Sequence, residues 1–204
     1  MDEKLAITLL KQGDLTGFEF LAHKYQVQAV HTAYLIVGDR FLAEDIAQAA
    51  FLKAASRINQ FDTQQSFRPW FFRIIVNDAI KAAKRQQRHV PLDTLSESAL
   101  NWLNDPSQRP EELIEAKELR QAVWHAIQSL SPEQRAVIVQ RHFLEMDEAE
   151  MVNELQRPAS SVKWWLHTAR KRLRELLASY RAETDSKGHT PVRPPLPGEK
   201  YEEY

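Results

Sequence analysis

Apolar residues recur along most of this chain at three- and four-residue steps, the spacing of a helix with one buried face. Phe18, Leu21, Tyr25, Ala29, Ala33 and Ile36 form one such stripe. Gly38 fits its stop, and Asp39 is placed to cap the next helix. Ala43, Ile46, Ala47, Ala50, Phe51, Ala54 and Ile58 form a second stripe. A polar loop, Asn59 to Ser66, separates it from a third helix that begins near Phe67. In that helix Phe67, Trp70, Phe71 and Ile74 have the spacing of core residues, and bases follow them.

From Pro91 to about Glu112 the period fades and three prolines appear, which reads as a linker. The helical period returns at Leu113, Ala116, Leu119, Val123, Ile127 and Leu130. Ser131-Pro132-Glu133-Gln134 is a capping-box start, with proline at the first helical position. Asp147-Glu148-Ala149-Glu150 repeats that start for a short helix ending near Leu155. After the break Gln156-Arg157-Pro158, a last helix runs to about Tyr180. Two helices joined by a tight break, the second one basic, fit a helix-turn-helix. The expected fold is all-α, in two small helical domains. Residues 1–90 form the first, 91–112 an acidic linker, 113–180 the second, and 181–204 a proline-rich, flexible tail.

Composition narrows the function classes. Among 204 residues there is no cysteine, which excludes disulfide scaffolds, zinc ribbons and thiol chemistry and suits a reducing cytosol. Five glycines leave little material for a phosphate loop, and no GxGxxG or GxxxxGK string occurs. No apolar run reaches the roughly 18–20 residues of a membrane span. The start MDEKLAITLL does not read as a secretory signal. The seven histidines show no HExxH or similar spacing, and no catalytic frame stands out, so neither metal, cofactor nor enzymatic activity is expected.

The net charge of −1 hides an alternation. Residues 51–90 carry eight bases and two acids, and residues 157–174 carry six bases and no acid. Between them, residues 91–112 hold five acids and one base. Two basic islands on different modules point to two anion-binding surfaces, although helical surfaces are often charged without a partner. In the third helix Lys81, Lys84, Arg85 and Arg88 fall in the last turns, where they would neutralise phosphates. The loop before it, with Asp62 and Gln64 between Phe61 and Phe67, is polar and flanked by aromatic residues.

In the last helix Val162, Trp165, Leu166, Ala169, Leu173 and Leu176 line one side. A helix-turn-helix sets the start of its second helix in the major groove, so Lys163, Trp164 and His167 are the candidates for base edges. Arg157, Arg170, Lys171 and Arg174 are the candidates for phosphates.

Four segments in order resemble a bacterial sigma factor of the extracytoplasmic-function (ECF) group of the sigma-70 family. They are AEDIAQAAFLKA at 43–54, RPWFFRIIVNDAIKAAKR at 68–85, LSPEQRAVIVQRHF at 130–143 and SSVKWWLHTARKRLRELL at 160–177. Trp70, Ile74 and Asn77 keep the register of the family's WL-x-x-IA-x-N helix, and the last segment is similar to its GTVKSRLHRARKRL helix. The chain departs from the family at Ala49 (usually Glu), Lys81 (usually Asp), Pro158 (usually a capping Ser) and Trp164-Trp165 (usually Ser-Arg), and its turn has no glycine. The expected fold does not depend on these positions. The promoter preference does.

The resemblance implies a promoter-specificity subunit with core RNA polymerase and promoter DNA as partners, an anti-sigma factor as a further one, and no membrane. It implies a cytoplasmic chain that is a monomer when free. Glu44, Asp45, Gln48 and Leu52, otherwise readable as a solvated face, would meet the beta-prime clamp, and the second domain the beta flap. Phe61, Asp62, Gln64 and Asn77, with Lys81, Lys84, Arg85 and Arg88, would hold the minus-ten element. Arg157, Ser160, Ser161, Lys163, Trp164, His167, Arg170, Lys171 and Arg174 would read the minus-thirty-five element. The acidic linker would thread a polymerase channel that otherwise carries RNA, or else be plainly solvated. Two other functions stay open on the residues alone: a stand-alone helix-turn-helix regulator, and a sigma-derived module that binds a protein through its tryptophans and tail.

Overall fold

The computed structural model describes residues 1–87 and 110–186, and places side chains over 1–87 and 118–180. The described residues are helical, without strands. Four helices come before the undescribed segment: α1 (Glu3–Lys11), α2 (Leu15–Val37), α3 (Arg40–Arg57) and α4 (Phe67–Gln86), with a 3₁₀ turn at Ile58–Gln60 after α3. Four follow it: α5 (Pro110–Gln128), α6 (Pro132–His142), α7 (Glu148–Leu155) and α8 (Ala159–Ser186).

The stops and caps lie where local chemistry places them. Gly38 ends α2 in the left-handed conformation (φ 79°), and the Asp39 side chain accepts the Leu42 N–H to start α3. Ser131 and Gln134 close a capping box on α6, and Asp147 and Glu150 close another on α7. Two boundaries differ from expectation. Helix α5 starts at Pro110, inside the expected linker, where proline's missing N–H costs nothing. Helix α8 runs to Ser186, since 181–186 contain neither Gly nor Pro. Helix α1 was not foreseen. Asp2 caps it, and Ala6, Ile7 and Leu10 bury against α2.

The first module is built around aromatic rings. Tyr25 sits about 6 Å from Phe67, Phe71 and Phe72, and Phe51 lies 4.6 Å from Phe71. Such pairs add attraction beyond the area they bury. Close approach of α1 to α2 requires Gly17, because a Cβ there would lie 2.1 Å from the Ala6 carbonyl oxygen. The second module is smaller and aliphatic, with Val137, Val162, Leu166 and Met151 at its centre.

The two modules are not separate bodies. The Tyr34 ring stacks on Trp124 at 4.5 Å, and Gln128 donates from Nε2 to the Leu35 carbonyl at 3.2 Å. Arg68 donates from Nη1 to the Leu144 carbonyl at 3.0 Å, and Lys84 forms an ion pair with Glu133.

Candidate nucleic-acid and polymerase interfaces

Helix α3 has two faces. Ala43, Ile46, Ala47, Ala50, Phe51 and Ala54 are buried, while Asp45, Gln48 and Leu52 are exposed on the opposite side. Glu44 is half-buried and pairs with Arg40 at 2.9 Å. The exposed side also carries Phe41, 79% accessible, which shares the helical stripe of Asp45, Gln48 and Leu52 (62% accessible). Beside it, Val27 is exposed and helps line a shallow groove with Gln26, Val30, His31 and Glu44. Reading the sequence for buried stripes passes over Phe41 and Val27. The available signal was a large apolar residue at a step whose helical neighbours are polar.

The loop between α3 and α4 corrects one expectation. Phe61 is only 3% exposed, with its ring 5.0 Å from Trp70 and 5.7 Å from Phe67, so it belongs to the core and offers no face to a ligand. Its carbonyl accepts from Lys11 Nζ at 2.7 Å, which ties the loop to α1. Asp62 and Gln64 remain outside. Asp62 Oδ1 accepts the Gln64 N–H at 2.9 Å, a local turn that fixes the loop without using up its outer edges. Trp70 and Ile74 pack against the core.

Helix α4 presents fewer free cations than its sequence count implies. Arg68 is held by Leu144 and Gln28, and Arg73 is the positive charge acting on Glu154. Lys81 is exposed and lies 3.8 Å from Asp78, which Lys53 holds at 2.6 Å. Lys84 pairs with Glu133, Asn77 is half-buried and Arg85 is exposed. Arg88 and residues 91–109 lie outside the described residues, as does the tail from 187.

The second module forms the expected helix-turn-helix. Helix α7 ends at Gln156 in a left-handed conformation (φ 50°, ψ 47°), doing with a side chain what glycine does freely. Pro158 has no side-chain acceptor, and its carbonyl takes the N–H groups of Ser161 (2.9 Å) and Val162 (3.2 Å). Val162, Leu166 and Ala169 are buried, and Trp165 packs half-buried against the core. Trp164 is 60% exposed, beside exposed Lys163 and His167. Ser160, Arg157, Arg170, Lys171 and Arg174 are exposed, and Ser161 is half-buried. Lys163 approaches Glu148 to 3.7 Å, a weak surface pair that leaves it available. His142 is pushed down by burial and by the positive charges of Arg170 and Arg141. Gln134 donates from Nε2 to Thr168 Oγ1 at 2.9 Å, which fixes α6 against α8.

These two modules match known sequence families in the same order. Residues 21–89 match sigma-70 region 2, and residues 120–173 match sigma-70 region 4. The chain belongs to the sigma-70 family. Within it, the resemblance is to the ECF group. This sigma factor is 28% identical over 179 residues to the ECF RNA polymerase sigma factor SigW of Bacillus subtilis, covering 85% of this chain and 96% of that one. It is 28% identical over 178 residues to the ECF RNA polymerase sigma-E factor of Escherichia coli K12, covering 84% and 92%. Its fold is similar to that of CnrH in complex with the cytosolic domain of CnrY (TM-score 0.60, 20% identity, covering 87% of this chain and 97% of that one). It is also similar to RpoE of Bartonella quintana in complex with the anti-sigma factor NepR (TM-score 0.59, 19% identity, covering 78% and 97%). Among the described residues of this sigma factor, no helix is long and apolar enough to cross a membrane.

Proposed function

We propose that this sigma factor docks on the clamp of core RNA polymerase through Asp45, Gln48, Leu52 and Phe41 of α3, and directs it to two promoter elements. Its α7–α8 unit reads the duplex of the minus-thirty-five element. Lys163, Trp164 and His167 meet base edges, while Arg157, Arg170, Lys171 and Arg174 hold phosphates. Helix α4 and the loop before it receive the minus-ten element. Lys81, Lys84 and Arg85 neutralise the backbone, and Asp62, Gln64 and Asn77 offer polar edges to an unstacked base. Trapping that base lowers the free energy of the melted strand, so the chain promotes opening by binding, with the chemistry left to the polymerase. Its place of action is the bacterial cytoplasm. An anti-sigma factor is a fitting partner, as NepR is for RpoE of Bartonella quintana.

The observation that carries this reading is the pairing, in one chain, of an exposed apolar–acidic face on α3 with an open helix-turn-helix reading surface on α8. A duplex-binding regulator needs only the second. The test is run-off transcription with bacterial core polymerase on sheared genomic DNA of the source organism. Discrete new transcripts are expected, and Lys84→Ala/Arg85→Ala should abolish them. Absence of both transcripts and polymerase binding would overturn the reading.

A further inference from the structure

Trp164 and Trp165 are adjacent on α8 but have different surroundings. Trp165 packs half-buried against the core, while Trp164 is 60% exposed and takes no part in that core. An exposed indole is a large apolar surface left in water, which favours association with whatever can cover it. Its position is fixed. The Trp164 carbonyl accepts from Thr168 Oγ1 at 2.8 Å, and Thr168 is held in turn by Gln134 of α6 at 2.9 Å.

The neighbours of Trp164 define what can cover it. Ser160, His167 and Lys171 stand four residues before it and three and seven after it, so they share its side of the helix, and all three are exposed. Lys163 beside it is exposed too. Residues 157–174 carry six bases and no acid. The cover must therefore be polyanionic where it meets the bases and apolar where it meets the ring. Duplex DNA offers both in its major groove, where the thymine C5-methyl group is the apolar feature of an otherwise hydrogen-bonding edge. Trp164 is the sixth residue of α8, within the part of a recognition helix that reaches base edges.

The side chains present narrow the bases further. Adenine is read by paired contacts from Asn or Gln, cytosine by Asp or Glu, guanine by Arg or Lys, and thymine by apolar contact with its methyl group. Residues 157–174 contain no Asn, Gln, Asp or Glu. The start of α8 has Lys163 for guanine and Trp164 for a methyl group. The indole N–H only donates, so Trp164 cannot select an amino group.

We propose that Trp164 is a methyl reader, selecting duplex in which a pyrimidine C5-methyl group meets its ring: thymine in ordinary DNA, 5-methylcytosine in methylated DNA. This assignment rests on the duplex-reading role of α8 above and adds the chemical feature that is read. A regulatory consequence follows. A site with cytosine at the contacted position binds poorly when unmodified and improves when that cytosine is methylated at C5. Burial of one methyl group corresponds to about a fourfold gain in affinity.

The test uses the full chain bound to bacterial core RNA polymerase, with a pool of random-sequence duplexes as the probe. Enriched duplexes are remade with one deoxyuridine in place of thymine at each position in turn, which removes a methyl group and keeps the base pair. One position should lose about fourfold in affinity, and 5-methylcytosine placed there opposite guanine should bind about fourfold better than cytosine. In Trp164→Ala both differences should vanish at that position, which separates a contact from an effect of the methyl group on DNA shape. Trp164→Phe, which keeps an apolar ring, should retain part of both. Lys163→Ala should weaken binding while keeping the thymine-to-uracil ratio. Enrichment with no position whose methyl dependence is lost in Trp164→Ala overturns this proposal alone. Failure of the pool to enrich any sequence overturns the duplex-reading role of α8 as well.

Discussion

The two modules handle their basic surfaces in opposite ways. In the first, α4 carries five described bases, and Arg68, Arg73, Lys81 and Lys84 each have an acceptor or an acidic neighbour within the chain. In the second, the start of α8 faces solvent, and its one described ion pair, Lys163 with Glu148, is long and exposed. The surface that would read duplex DNA is therefore open at rest, whereas the surface that would hold a separated strand is partly occupied. Charge counted along the sequence treats the two islands alike. Only packing separates them.

The cores differ too. Stacked rings and a helix crossing at Gly17 hold the first module, so the largest expected effect is Gly17→Ala. The backbone oxygen of Ala6 cannot yield as a flexible side chain would, and α1 must shift. A loss of about 3–4 kcal/mol is expected in urea unfolding followed by circular dichroism. A loss below about 1 kcal/mol would show that α1 is not seated as described.

The adjacent tryptophans of α8 sharpen the contrast between a core and a reading surface. Trp164→Ala should weaken binding to a duplex promoter fragment by about tenfold, as befits one lost base contact, with little change in melting temperature. Trp165→Ala should instead cost stability, about 2–3 kcal/mol, because its ring packs on the core. Equal effects of the two on duplex binding would break the assignment.

Glu154 tests the contact between the modules. Burial pushes its carboxyl up to about 7, against the lowering pull of Arg73 and with the help of Glu150. A carboxyl raised above its ordinary value stabilises the folded molecule while protonated. That contribution is full below its ordinary value of 4.5 and is lost as pH rises through about 7. Glu154→Gln is neutral at every pH, so it should gain on the wild type between pH 6 and pH 8, by on the order of 1–3 kcal/mol at the upper end. Melting curves at both pH values check this, and a variant less stable than wild type at pH 8 would contradict it.

The smallest effect concerns Gln156. It holds a left-handed conformation that glycine adopts freely, so Gln156→Gly should stabilise the second module by about 0.5–1 kcal/mol in thermal melts. A destabilised variant would mean that the Gln156 side chain contributes more than the strain it carries.

Much of this architecture was legible in the sequence because it is local. Gly38, Asp39, Ser131 and Asp147 act within one turn of their own helix ends, and the stripes of α2 and α3 need only helical period. Phe61 was misplaced because an aromatic beside a polar loop has the same local pattern whether it turns outward or into a core. The packing of Trp70 and Phe67 decides that, and it is tertiary. Phe41 was missed for the converse reason, since its exposure depends on what α2 leaves uncovered. The joint between modules was beyond reach. Lys84 and Glu133 are far apart in the chain, and no periodicity records that they meet.

The central claim is that α3 docks this sigma factor on polymerase, and one binding measurement tests it most directly. Core RNA polymerase is titrated into the dye-labelled full chain, wild type and Leu52→Asp, and fluorescence anisotropy is followed. A charge in place of Leu52, one of the two large apolar residues of the proposed docking face, should weaken binding by about thirtyfold or more, while circular dichroism stays unchanged. Equal binding of the two chains, or no binding by the wild type, would contradict the account.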